Sequence, residues 1–251
     1  MKLLTAPIAN PKTAKSLASN YANYILHLAP ADLSGYETCP KRTAGCTAAC
    51  LNKAGRGGMF KKGESTNMIQ QARIRKTKAF FENRAAFMAD LVKDIELAIK
   101  QSAKKGLVPV IRLNGTSDLS FEKYAAVRNG VTYRNIFEAF ADIQFYDYTA
   151  VLGRKVSGIK NYQLTFSAKE SNDTDIQKAI EQGYNVAMVF DVLPDNYMGL
   201  PVINADEHDL RFLDSKLAGG RQVICGLKAK GPAKKDNSGF VRRVIELKLA
   251  A

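Results

Sequence analysis

Apolar side chains along this chain follow two rhythms, separated by a stretch with little rhythm at all. Over 66–104, Phe80, Phe87, Leu91, Ile95 and Ala98 recur at helical spacing and predict one long helix with a buried stripe, closed near Gly106. Arg73, Lys76, Arg84 and Lys93 are expected elsewhere on its surface. The stretch "NPKTAKSLASNYANYILHLAPA" predicts an earlier helix that opens near Pro11 and stops before Pro30. Residues 31–65, between the two, hold Cys39, Cys46, Cys50 and the glycine-rich "AGRGG". They predict a long ordered loop, and a loop of that length inside a compact domain usually has a functional reason.

After Gly106 the apolar residues come in short runs. "LVPVIRLN" (107–114), "DIQFYDYT" (142–149), "YQLTFSA" (162–168), "YNVAMVFDV" (184–192) and "RQVICGLKAK" (221–230) read as strands. "SFEKYAAV" and "YRNIFEAFA" read as short helices, and "DTDIQKAIEQG" as a helix with acids at its start and Gly183 at its end. Strands alternating with helices imply parallel βαβ units. The expected class is therefore α/β, with a partial or irregular β/α barrel-like parallel sheet and an N-terminal helical and cysteine-loop segment. An open doubly wound sheet is the alternative. One domain is expected over 1–251: helix and cysteine loop to 65, long helix over 66–104, β/α core from 105.

Composition narrows the class. The 251 residues are 46% hydrophobic, 24% charged and 9% aromatic, which suits a folded chain with ample core. No apolar run approaches the roughly 20 residues of a membrane helix. "MKLL" is followed by "TAPIANPKTAK", which breaks any signal-peptide core, so a cytoplasmic protein is expected. Thiols stay reduced in such a compartment, and clustered cysteines there point to a metal or to thiol chemistry rather than to disulfides.

The net charge of +13 is unevenly spread. Residues 41–84 carry Lys41, Arg42, Lys53, Arg56, Lys61, Lys62, Arg73, Arg75, Lys76, Lys78 and Arg84 against only Glu64 and Glu82, which makes +9 of that total. Such a patch suits nucleic acid or another anionic ligand, with Lys41, Arg42, Arg56, Arg73, Arg75 and Lys76 as contacts; a solvated basic face is the plain alternative.

Cys39-x6-Cys46-x3-Cys50 is one cluster of three thiols without a second clip of the kind structural zinc sites pair. Three thiolates suit a [4Fe–4S] cluster with an open iron, or one completed by Cys225 or His208. Zinc is the alternative metal, and three unliganded cysteines the plain reading. An open iron would also admit S-adenosylmethionine, although the spacing is not Cys-x3-Cys-x2-Cys. The acidic run "ADEHD" around His208 reads as a solvated loop.

A second constellation gathers at the predicted strand ends. Asn114, Ser117 and Asp118, then Asp147 and Tyr148, then Ser167, then Lys228 and Lys230 would ring one face of a parallel sheet. Sites form there in α/β proteins, and these eight are the catalytic candidates; polar loop starts and helix caps are the plain reading. No phosphate-binding Gly-rich loop, dinucleotide fingerprint or serine-hydrolase elbow is present.

The ordered series "TCP…GC…C", "RLNGTSD", "FYDYT", "LTFS" and "GLKAKG" resembles the gene-product-eighty-eight-like family of phage and prophage proteins, over about 36–240. The resemblance implies a phage or mobile-element origin, in an infected or prophage-bearing bacterial host, and does not itself imply a reaction. It centres on Cys39, Cys46 and Cys50 and leaves Cys225 aside. The resulting expectation is an iron–sulfur protein with redox or radical-type chemistry at the strand ends. A nucleic-acid-binding protein with a structural or redox-sensing metal centre, and a zinc-stapled interaction protein, are the alternatives.

Overall fold

The computed structural model describes residues 1–9, 11–60 and 64–244. Lys61 and Lys62 of the basic segment lie outside the described residues. The strands are β1 (Leu4–Thr5), β2 (Tyr21–Leu26), β3 (Val108–Arg112), β4 (Ala126–Arg128), β5 (Val131–Tyr133), β6 (Gln144–Thr149), β7 (Tyr162–Ser167), β8 (Val186–Phe190), β9 (Asn196–Tyr197), β10 (Leu200–Asn204), β11 (Ile224–Lys228) and β12 (Val241–Arg242). The α-helices are α1 (Pro11–Lys15), α2 (Ala44–Ala48), α3 (Met68–Glu82), α4 (Arg84–Ala103), α5 (Ile136–Ala139), α6 (Asp173–Glu181) and α7 (Asp214–Leu217).

Two sequence expectations are corrected at the N-terminal side. The first helix ends at Lys15, passes through a 3-10 turn over Ser16–Ser19, and stops where Asn20 takes a left-handed φ of 65°. "YANYIL" then forms β2, buried over five of its six residues and paired in parallel with β3 from Tyr21↔Val108 to Ile25↔Arg112. Burial between two neighbouring strands outweighs helical propensity here. The long helix is also two helices. Asn83 leaves helical geometry at φ −144°, and its side chain accepts from Ala86 N at 3.2 Å, which caps α4. "SFEKYAAV" likewise yields only a 3-10 turn, Phe121–Lys123, before it enters β4.

One ten-stranded sheet orders its strands β1-β2-β3-β6-β7-β8-β11-β10-β9, with β12 added at β8. The pairings are parallel except for β1–β2 and β9–β10 at the two ends. Among the described residues β1 and β9 do not pair with each other, so the sheet is open and no barrel closes. Helices α4 and α6 lie on one face of the sheet. Tyr162 and Leu164 of β7 join the core of α4 (Phe87, Leu91, Ile95), while Phe166 of the same strand face joins Ile176 and Ala179 of α6. The opposite face is covered by 205–218, through Leu210 on Val110 and Tyr146 and through Ala205 and Ala218 beside Cys225.

The sheet forks at β8. Its first half pairs with β7 (Phe166↔Val186, Ser167↔Ala187), and its second half pairs with β12 (Val241↔Val189, Arg242↔Phe190). The carboxyl half of β8 therefore runs on past the end of β7, and the cysteine-bearing segment packs over this fork. Ala49 is buried there with Ala233 and Val241.

Candidate functional site

The segment 31–58 is held down by hydrogen bonds to the carboxyl ends of the strands. Thr38 Oγ1 donates to Ala29 O at 2.7 Å, and Asp118 N donates to Thr38 O at 2.8 Å. The Glu170 carboxylate accepts from Thr43 Oγ1 at 2.7 Å and Gly45 N at 2.6 Å. Lys169, buried just beyond β7, donates to Lys41 O. Gly45 gives Glu170 its close approach: a Cβ there would sit 2.1 Å from Ser238 Oγ and 2.8 Å from the Glu170 carboxyl carbon, so those side chains would have to move. Further along, Asn67 Nδ2 gathers the carbonyls of Arg56, Gly57 and Met59 at 2.9–3.1 Å, and its Oδ1 accepts from Gln70 N to cap α3.

Cys39, Cys46 and Cys50 lie near enough to feel one another. Each thiol is pushed up from its ordinary range, first by burial and then by another of the three: Cys46 acts on Cys39, Cys50 on Cys46, and Cys39 on Cys50. Ala31 N donates to Cys39 Sγ at 3.4 Å. The iron–sulfur expectation is nevertheless overturned. Among the described residues no group of three or more His, Cys, Asp or Glu side chains could hold a metal ion. The same finding tells against the metal-centred alternatives. The physical reason lies in the anchors just described: backbone and carboxylate hydrogen bonds, not a shared ligand, fasten the segment. All four cysteines are free thiols.

Neither proposed fourth ligand joins the three. Cys225 is fully buried on β11, donates to Asp214 Oδ2 at 3.2 Å, and is raised by burial and by that carboxylate. His208 Nδ1 accepts from Leu210 N at 3.2 Å and meets Arg211 at the same distance.

Of the eight strand-end candidates, Asn114, Ser117 and Asp147 bond to one another with Asp118 beside them, and they fasten loops to one another. Asp147 Oδ1 accepts from Asn114 N at 2.7 Å, and its Oδ2 accepts from Asn114 Nδ2 at 3.1 Å and Tyr162 Oη at 3.0 Å. Asn114 Oδ1 accepts from Ser117 Oγ at 2.9 Å and Leu119 N at 2.8 Å. Asp118 accepts from Ala150 N at 2.8 Å and faces Arg154 at 3.6 Å. Tyr148 points to the other sheet face, under the Arg112 guanidinium at 4.5 Å. Ser167 is half-buried, and its carbonyl accepts from Asn172 Nδ2 at 3.0 Å. Lys228 and Lys230 lie apart from this group, both on Asp206: Lys228 through its backbone N at 3.1 Å, Lys230 through Nζ at 2.6 Å.

The basic candidates divide sharply. Arg73 and Lys76 turn inward, to Asn52 Oδ1 and to Leu3 O at 2.6 Å, and burial lowers both from their ordinary values. Arg84 lies over the Phe80 ring at 4.3 Å and the Tyr124 ring at 4.1 Å. Arg42 is paired with Glu37 at 2.7 Å and Asp32 at 2.9 Å. Lys41, Lys53, Arg56 and Arg75 remain exposed, and none forms an ion pair among the described residues. Arg75 is two residues from inward-facing Arg73 on α3, hence on its outer side.

The sequence reading missed a second group of cations. The 3-10 turn Gly231–Lys235 packs on the cysteine segment, with Gly231 against Ala54 and Ala233 buried beside Ala49. Lys234 and Lys235, exposed and without ion pairs among the described residues, are carried by this turn against the segment that bears Lys53 and Arg56. An open depression of about 670 Å³, lined in part by Arg42, Thr43, Thr47 and Lys53, lies on the same segment. The signal was legible as four lysines within "KAKGPAKK" (228–235), but a nearly balanced total after residue 84 concealed it.

His27, at the end of β2, is largely buried among Arg73, Lys76 and Arg112, with Asp209 opposing them and Thr5 Oγ1 at 3.4 Å. Burial, followed by the three cations, lowers it to about 3. The folded state thus refuses a proton that the unfolded chain accepts below about 6.5. Stability attributable to His27 is present above 6.5 and lost on acidification through that window, at no more than about 1.4 kcal/mol per pH unit. The ring's exposed edge brings the loss below that ceiling. Asp147 acts oppositely: burial raises it to about 6, so its carboxyl favours the folded state as pH falls from 6 to its ordinary 3.8. Urea unfolding of a His27→Gln variant against the parent should therefore show the variant gaining relative stability at each step from pH 6.5 toward 4. A difference independent of pH would refute the assignment.

A family model described as Gene product 88 matches residues 2–244 of the chain. No curated protein and no solved structure matches it.

Proposed function

We propose that this chain, which belongs to the Gene product 88 family, binds nucleic acid through the phosphate backbone. The binding face combines the cysteine-bearing segment with the turn at 231–235. The observation that carries this reading is the packing of Ala233 and Gly231 on Ala49 and Ala54. It packs the turn bearing Lys234 and Lys235 against the segment bearing Lys53 and Arg56, four exposed cations drawn from sequence positions some 180 apart. Cations already paired with acids, such as Arg42 and Lys230, add little to such a face. Unpaired ones displace condensed counterions from a phosphate chain, which is the source of sequence-independent affinity.

The cysteine segment serves as scaffold in this reading. Its anchors on Glu170 and Lys169 hold the segment against the fork of the sheet. A phage or prophage product working in the host cytoplasm would meet nucleic acid there. No helix among the described residues is long and apolar enough to cross a membrane.

The test is equilibrium binding of a fluorescently labelled oligonucleotide, followed by anisotropy at low salt. A dissociation constant in or below the range of non-specific binders, ~10⁻⁴–10⁻⁶ M, is expected. No binding at the upper end of that range would overturn the reading.

A further inference from the structure

The segment bearing Lys53 and Arg56, with the start of α3 tied to it, carries an apolar population that phosphate contacts alone do not require. Of the fourteen exposed large apolar side chains among the described residues, five fall within 51–69: Leu51, Met59, Phe60, Met68 and Ile69, exposed from 38% (Ile69) to 84% (Met68). Asn67 ties this group together, since its side chain binds the carbonyls of Arg56 and Met59 while its own position opens α3 immediately before Met68. Gln70 Nε2 adds a bond to Gly57 O at 2.9 Å. The apolar groups are therefore presented by a fastened surface.

From this placement we infer that the ligand is single-stranded nucleic acid, with unstacked bases lying on the apolar groups around Phe60 and phosphates on the neighbouring cations. The inference rests on the nucleic-acid reading above and goes further in naming the strand class. In the chain, Lys53 and Arg56 fall between Leu51 and Met59, so cationic and apolar groups interleave. A single strand likewise alternates phosphate with base, and every base offers a face to an aromatic or apolar side chain. A duplex keeps its bases stacked inside and would leave these side chains in water. An anionic lipid surface also combines charge with apolar depth, but it calls for apolar groups gathered on one side of a helix or at one tip rather than spread between cations.

The experiment compares a labelled 15-nucleotide single strand with a duplex carrying the same number of phosphates, using the full chain. Phe60→Ala and Met59→Ala are each assayed beside the parent. Both side chains are exposed, and unchanged far-ultraviolet circular dichroism and thermal midpoints establish that the variants are folded. The expected result is at least about tenfold preference for the single strand, a loss of about tenfold on the single strand for Phe60→Ala, and unchanged duplex binding. Equal binding of both ligands, unaffected by either substitution, overturns this inference and leaves the phosphate reading standing. Binding of neither ligand overturns both. Binding to phosphatidylserine vesicles that falls with Phe60→Ala, without single-strand preference, overturns the inference in favour of a lipid surface.

Discussion

Replacing Arg154 by methionine should cost the protein about 3–5 kcal/mol of stability, the scale expected when one partner of a buried ion pair is removed. Arg154 is 8% exposed. It grips Glu122 with two bonds, Nε to Oε1 at 3.0 Å and Nη2 to Oε2 at 2.5 Å, reaches Tyr162 Oη at 3.1 Å, and faces Asp118 at 3.6 Å. Tyr162 in turn donates to Asp147. Burial opposes the charge on Arg154, but Tyr162, Glu122 and Asp147 together hold its pKa above the ordinary arginine value. Methionine fills much of the same volume and cannot neutralise the carboxylates left behind. Urea unfolding measures the loss, and a double variant that adds Glu122→Gln should recover part of it, because one stranded charge is then gone. A loss below about 1 kcal/mol in the single variant would show that the carboxylates do not depend on Arg154.

The second large effect is on binding. Alanine at Lys53, Arg56, Lys234 and Lys235 together should weaken nucleic-acid affinity on the order of 10²–10³-fold near physiological salt, since four phosphate contacts and their released counterions are lost. All four side chains are exposed, so stability should stay within about 0.5 kcal/mol per substitution. The control is alanine at Arg73 and Lys76, which point inward and should alter stability more than affinity. If each pair of lost cations, 53/56 or 234/235, removes a comparable share of affinity, both segments face one ligand. An effect confined to one pair would separate them.

Much of the fold was legible where local pattern and burial agree. β3, β6, β7, β8, β11 and α6 stand within a few residues of their sequence-derived bounds, because short apolar runs bounded by glycine and polar turns are satisfied locally, whereas β4, β5, β9, β10 and β12 were not read as strands. β2 was not legible: "SLASNYANYIL" reads as helix until the neighbouring β1 and β3 are known. The break at Asn83 also depends on context, as a polar residue within a periodic run that proves to be a cap. The open edge of the sheet and its fork at β8 are long-range facts with no local signal.

The site divides in the same way. Three cysteines in twelve residues read as ligands by spacing alone, yet spacing does not reveal that Glu170, Lys169 and Asp118 reach over to hold their segment. Of the eight residues expected at the strand ends, Asn114 bonds to Ser117 and to Asp147. What the sequence cannot show is that their polar atoms are largely taken up by one another. Arg73 and Lys76 looked like surface cations because the α3 stripe was traced through Phe80 alone, whereas Gln70, Thr77 and Phe80 are its buried positions.

The most direct measurement of the central claim is the salt dependence of single-strand affinity for the parent chain. Four phosphate contacts predict that the logarithm of the association constant falls against the logarithm of salt with a slope of about −3, at roughly −0.7 per phosphate, and that the quadruple alanine variant loses most of that slope. A parent slope near zero, or one the variant leaves intact, would contradict a phosphate-binding face built from these two segments.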